Sequence, residues 1–228
     1  MKSKQYWVDR LGEGWTNALK DTLKSPYMEK LMNFVDCQYA MADEIFPNNS
    51  KIIFDAFKAC PWDTVQVVII GYEPNPIYGT GPLAYSDEIE HSHKNSTLYA
   101  ITTSIMDEYY NGYNINFDYT LKSWAKQGVL MLNQALTATR QDFAHRVQWR
   151  RFFKAVITAI NEYKPGTIVF LWGEESMWLM PELDRQHVFN WEHPHKYAHR
   201  TTSWKCPNFT QANKLIEHIN GKGSQITW

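Results

Sequence analysis

Short apolar runs break up the chain, and between them apolar residues return at helical spacing. Residues 65–70 form a run rich in β-branched side chains, which reads as a buried strand. Val129-Leu130-Met131-Leu132 is a second run, residues 168–172 a third, and Val188-Phe189-Asn190-Trp191 a weaker fourth. The clearest helix covers residues 143–163, where Trp149, Phe152, Phe153, Val156 and Ile160 make an apolar stripe that stops at Lys164-Pro165-Gly166. The first sixty residues read as helices through Leu19, Leu23, Leu31, Phe34 and Val35, with a break at Ser25-Pro26 where proline opens the next helix. Asn48-Asn49-Ser50 is a turn before a further apolar stretch.

Apolar strands alternating with helices imply an α/β fold with a mainly parallel sheet covered on both faces. Ligands in such sheets bind beyond the carboxyl ends of the strands. The first run is followed by Gly71-Tyr72-Glu73-Pro74-Asn75, the second by Asn133, the third by Gly173-Glu174-Glu175-Ser176, and the fourth by Glu192-His193-Pro194-His195. A carboxylate, an amide and an imidazole thus fall at one edge, a set suited to acid–base or electrostatic chemistry on a small polar ring.

Composition narrows the picture. The 228 residues suit one domain, with residues 1–60 a mainly helical lead-in and 61–228 an α/β core. No stretch reaches the ~20 apolar residues that cross a membrane, and the amino terminus has no signal-peptide core. A cytoplasmic protein is the expectation. The three cysteines, Cys37, Cys60 and Cys206, lie far apart, which argues against a disulfide framework or a metal ribbon and for buried or partly buried thiols. His91 and His93 lack a third nearby ligand, so no metal is expected. The net charge of −1 does not advertise nucleic-acid binding. Residues 193–205, however, hold Lys196, Arg200, Lys205 and three histidines without an acid, enough to meet a few phosphates.

The segment "WAKQGVLMLNQALTA", residues 124–138, closely resembles the strand-bearing motif of family-1 uracil-DNA glycosylases. "IFDAFKACPWDTVQVVIIG" is similar to the lead-in to that family's first catalytic motif, and "GPLAYS" to its base-stacking segment. "IVFLWG" and "EHPH" resemble its third strand and second catalytic motif, and "NFTQANKLIEHINGKGSQITW" its last helix and final Ile-x-Trp. The resemblance implies a central four-stranded parallel sheet flanked by helices on both faces. It also implies cofactor-free hydrolysis of an N-glycosidic bond in DNA by a monomer, leaving an abasic site. The base must be rotated out of the helix, because its glycosidic carbon is shielded in the stack.

The family pattern Gly-Gln-Asp-Pro-Tyr-His reads here Gly71-Tyr72-Glu73-Pro74-Asn75-Pro76. The water-positioning carboxylate falls on Glu73, one methylene longer than the usual aspartate, and Tyr72 is counted with the base-binding residues. Asn75 stands where a tyrosine ring excludes a C5 methyl, so the exchange opens the pocket at C5 and adds a polar group. Tyr85 takes the place of the phenylalanine on which the base stacks. Asn133 matches the amide that reads the pyrimidine edge, and a reversible amide can read uracil or cytosine. His193 matches the histidine that donates to the base O2 as negative charge develops there. Tyr197 replaces the leucine wedge that fills the vacated stack. His195, Lys196, His199 and Arg200 are expected at phosphates, with Ser96 or Thr97 keeping the family's phosphate contact. Glu174 replaces a serine after the third strand, where a carboxylate repels phosphate unless a cation offsets it.

The leading expectation is a DNA glycosylase with a pocket enlarged for a C5-modified pyrimidine, such as the hydroxymethyl- or glucosyl-hydroxymethyl-pyrimidines of phage DNA, in an antiviral role. An ordinary uracil-DNA glycosylase of base-excision repair is the alternative. A DNA-binding or replication-accessory protein that has lost its chemistry is a third, from a different class.

Overall fold

A computed structural model describes the chain except for residues 1, 43, 75–80, 88–95, 114–115, 140–144 and 199–201. The amino-terminal third is helical: α1 (Lys4–Leu11), α2 (Glu13–Ala18), α3 (Lys20–Leu23) and α4 (Pro26–Met41). Ser25 caps α4 by accepting the Met28 amide, and Pro26 occupies the first turn, where its missing N–H costs nothing. A two-residue strand, β1 (Ile45–Phe46), and the short helix α5 (Asp55–Ala59) follow.

The sheet then begins with β2 (Val67–Gly71). The remaining elements are α6 (Thr97–Tyr109), α7 (Lys122–Lys126), β3 (Val129–Asn133), β4 (Ala138–Thr139), α8 (Arg146–Tyr163), β5 (Ile168–Trp172), β6 (His187–Trp191) and α9 (Asn208–Asn220). Strand order is β3-β2-β5-β6, and every pairing is parallel. The expected four-stranded α/β fold is present. The small β1–β4 antiparallel pair lies outside the sequence reading.

Val67, Val68, Ile69 and Ile70 are each 0% exposed. Successive residues of a strand point to opposite faces, so the sheet is covered on both. Phe170 and Trp172, two apart on β5, meet Phe209 of α9. Trp228 closes against Phe170, Phe209 and Trp124. A second aromatic group, Trp15, Phe54, Phe57, Trp149 and Phe152, joins the amino-terminal helices to α8. The α8 stripe is buried as expected, and α8 begins at Arg146, residues 143–144 lying outside the described set. The first strand starts at Val67 because Val65 ends a 3-10 turn, Trp62–Thr64. The weak apolar signal of β6 has a plain cause: it is the edge strand, and His187, Asn190 and Trp191 are exposed. Cys60 and Cys206 are buried, burial pushing each thiol up to about 12. Cys37 is exposed on α4, which corrects the expectation for that thiol. Among the described residues no helix is long and apolar enough to cross a membrane.

The carboxyl-terminal segment is pinned by Asn213, whose carboxamide donates to Ile226 O and accepts from Ile226 N, both at 2.9 Å and buried. Removing this side chain strands two buried backbone groups. Asn213→Ala is expected to cost about 2–4 kcal/mol, read as a lower urea midpoint with an unchanged slope.

Candidate active site

The four parallel strands end at one edge, and the groups singled out there come together around Gly71. Gly71 pairs with Asn133 in the β2–β3 register. A Cβ on residue 71 would lie 2.3 Å from Asn133 Oδ1 and 2.9 Å from Ala84 Cβ. Only hydrogen fits there, so the amide of Asn133 and the segment bearing Tyr85 close directly onto the backbone. The Ala84 amide donates to Met131 O at 3.1 Å, which holds that segment across β3.

Tyr85 follows in the left-handed region, with φ 66°. A bulky residue there carries about 1–3 kcal/mol of strain and needs its surroundings to hold it. Its ring lies 5.5 Å from Trp172, and its hydroxyl donates to Ile70 O at 3.1 Å. That hydroxyl also lies 3.3 Å from His193 Nε2. Since its one proton is committed to Ile70, it accepts from the imidazole. The His195 amide donates to His193 Nδ1 at 3.1 Å. Both contacts describe a neutral imidazole protonated at Nε2.

Burial is the main reason His193 titrates low, at about 4, with the charges of His195 and Lys196 acting in the same direction and Glu175 opposing. Tyr72 supplies part of that burial. Its ring stacks on His193 with centroids 4.8 Å apart and planes 12° from parallel. The Tyr72 hydroxyl donates to Glu175 Oε2 at 2.6 Å. Burial, then the Glu175 carboxylate, raises the Tyr72 phenol, and the same bond is the first cause that lowers Glu175. Gly173, φ +86°, makes this approach feasible: a Cβ there would sit 2.8 Å from Tyr72 Oη and 3.0 Å from His193 Cβ.

Glu73 stands at the same edge, its side chain 15% exposed, with Oε2 3.5 Å from Arg146 Nε. The guanidinium carbon also lies 5.8 Å from the Tyr72 ring centroid. Sequence reasoning missed Arg146 and gave Glu175 no role. The available signal for Arg146 was a cation opening a helix, where the dipole disfavours it. Beneath the edge, Gln134 donates to Ser176 Oγ at 3.4 Å and accepts from Trp178 Nε1 at 3.2 Å.

The residues expected at DNA are placed differently from one another. Ser96 is 2% exposed, and its hydroxyl caps α6 by accepting the Tyr99 amide. Thr97 is half-buried, and its Oγ1 lies 3.3 Å from His195 Nδ1, a link between α6 and the turn after β6. His195 and Lys196 are exposed on the 3-10 turn Pro194–Tyr197. Tyr197 is half-buried, and its hydroxyl donates to Glu192. Asn75, His199 and Arg200, with His91 and His93, lie outside the described residues.

The fold and its edge define an α/β enzyme that presents a carboxylate, an amide, an aromatic platform and a neutral imidazole beyond the strand ends. Residues 57–217 match the model of the uracil DNA glycosylase superfamily. A uracil-DNA glycosylase of Pseudomonas fluorescens is 31% identical over 229 residues, covering 96% of this chain and 95% of that protein. One from Chlamydia abortus is 30% identical over 223 residues, covering 94% of each. The crystal structure of mimivirus uracil-DNA glycosylase superposes with a TM-score of 0.80 at 20% identity, over 94% of this chain and 86% of that one, a likeness of fold. The chain belongs to the uracil DNA glycosylase superfamily. It is an enzyme of the monofunctional DNA glycosylase class, a hydrolase.

With a folded value near 4 against 6.5 for a free histidine, the unfolded chain takes up this proton first as pH falls. The stability contributed by His193 is therefore complete above pH 6.5 and is lost progressively on the way down to 4. A histidine-selective NMR titration is expected to show His193 neutral and Nε2-protonated from pH 8 down to roughly 5. A midpoint at or above the free value would contradict burial as the dominant cause.

Proposed function

We propose that this enzyme hydrolyses the N-glycosidic bond of a pyrimidine rotated out of DNA, with a pocket that admits a substituent at C5. The observation that carries the reading is the contact geometry of His193, whose Nδ1 accepts the His195 amide and whose Nε2–H faces Tyr85 Oη, at the strand-end edge that also bears Asn133 and Glu73. A flipped base lies on the Tyr85 ring and is read along its edge by Asn133. Its O2 takes the Nε2–H over from the Tyr85 hydroxyl, at 3.3 Å a long bond to displace. As the glycosidic bond breaks, negative charge grows on O2, and a preorganised neutral donor stabilises it without giving up its proton. Glu73 offsets the positive charge on the sugar and holds the water that attacks it.

Thr97, His195 and Lys196 form the exposed part of the proposed DNA contact, with Arg200 and His199 in the same stretch of sequence. Tyr197 is the proposed wedge, freed from Glu192 as it enters the stack. DNA carrying the target base is the partner, and the enzyme acts as a monomer in the cytoplasm.

Two features support room at C5. Asn75 stands where the family carries the tyrosine that excludes a methyl group. The Tyr72 ring and hydroxyl are committed to His193 and Glu175, across β2 from Asn133, so Tyr72 is turned away from the amide proposed to read the base. Hydroxymethyl- and glucosyl-hydroxymethyl-pyrimidines of phage genomes are the proposed substrates. Their excision would leave abasic sites that block replication of invading DNA. The second reading, plain uracil excision in repair, is favoured by the names of the relatives.

Oligonucleotides carrying uracil, thymine, hydroxymethyluracil, hydroxymethylcytosine or glucosylated hydroxymethylcytosine separate these readings. Release of a C5-substituted base is expected, with Glu73→Gln and His193→Ala each slower by about 100-fold or more. Release of uracil alone would leave the repair reading. Tight DNA binding with no abasic product on any substrate would leave a binding protein.

A further inference from the structure

We propose that Arg146 is a positioning residue for Glu73, holding the longer carboxylate at the depth from which it reaches the attacking water. The inference rests on the reading of Glu73 given above. A glutamate in place of the family's aspartate adds one methylene and one more rotatable bond. A misplacement near 1 Å is worth about 100-fold in rate, so a longer stem needs an external restraint.

Arg146 supplies it from a place where a cation is otherwise disfavoured. It is the first residue of α8, whose first turn carries no acid, and the amide dipoles there repel positive charge. The 3.5 Å pair with Glu73 Oε2 offsets that repulsion, and the guanidinium also faces the Tyr72 ring at 5.8 Å. Arg146 thus lies against both Glu73 and Tyr72.

The start of α8 is itself fixed. Thr137 Oγ1 accepts from Trp149 Nε1 at 2.8 Å and meets His145 Nδ1 at 2.9 Å, all three side chains buried. Further along the same row, Arg150 lies over the Trp178 ring at 4.7 Å and Lys154 pairs with Glu182 at 2.6 Å. Both partners lie in the 3-10 segment that follows β5. Arg150 and Lys154 dock this row of the helix against that segment, and Arg146 reaches the strand-end edge.

Single-turnover rates at saturating enzyme, on whichever oligonucleotide the wild type cleaves, test this with Arg146→Gln, Arg146→Lys, Glu73→Asp and the double variant Glu73→Asp/Arg146→Gln. Arg146→Gln is expected to slow the saturated rate about 10- to 100-fold, with DNA Kd and Tm near wild type. Arg146→Lys should regain part of that loss. With Glu73→Asp the carboxylate retracts from the guanidinium, so adding Arg146→Gln should cost less than about 3-fold more. Equal losses in both backgrounds would overturn the proposal. So would a weaker Kd with a shallower salt dependence and an unchanged saturated rate, which would make Arg146 a phosphate contact. Wild-type activity of Glu73→Gln would instead remove the reading of Glu73 itself.

Discussion

The α-carbon of residue 71 has space for hydrogen alone, and the strand-end edge around it is built on that fact. Because no Cβ intervenes, Asn133 lies against the β2 backbone at the point where β2 and β3 finish together. The chain continues the grip past the strand ends: Gln134 N donates to Gly71 O at 3.0 Å and Ala135 N to Tyr72 O at 2.9 Å. The same vacancy admits Ala84, which places Tyr85 over Trp172 and within reach of His193. Two groups from distant parts of the chain, Asn133 and the segment bearing Tyr85, therefore share one origin. A methyl group at residue 71 would push both away, in an interior packed too tightly to absorb it.

Much of this could be read in the chain beforehand, because strand ends of a parallel sheet are predictable places. The apolar runs of β2, β3 and β5 and the stripe of α8 follow directly from burial on both faces or on one. Glu73 and Asn133 follow the β2 and β3 runs closely and His193 follows the weaker β6 run, so the strands pointed to these residues. What escaped was whatever depends on distant partners. Ser96 reads as a phosphate contact in sequence, yet it is buried as the cap of α6. Tyr72 reads as a base contact, and no local pattern reveals that Glu175, 103 residues away, receives its hydroxyl. Arg146 lies 73 positions from Glu73, and only the folded chain brings them within 3.5 Å.

The replacements at this edge make sense in pairs. A carboxylate beside His193 favours the protonated imidazole, and Glu175 does act in that direction. In the proposed chemistry a protonated His193 would be a different donor, prone to surrender its proton to the leaving base. Burial outweighs Glu175, and the Tyr72 ring stacked on the imidazole contributes to that burial. The family pattern carries glutamine at the position of Tyr72, which offers no such face. The phenol has a second effect: by donating to Glu175 it stabilises the carboxylate where it is, so the charge does not need His193 as its counter-ion. Glu192 meets the same arrangement, with the Tyr197 hydroxyl as its donor. Glu175 and Glu192, two acidic residues near the proposed DNA face, are each satisfied by a tyrosine hydroxyl. Tyr72 and Glu175 are on this account one unit distributed over two strand ends, since the hydroxyl of one satisfies the carboxylate of the other.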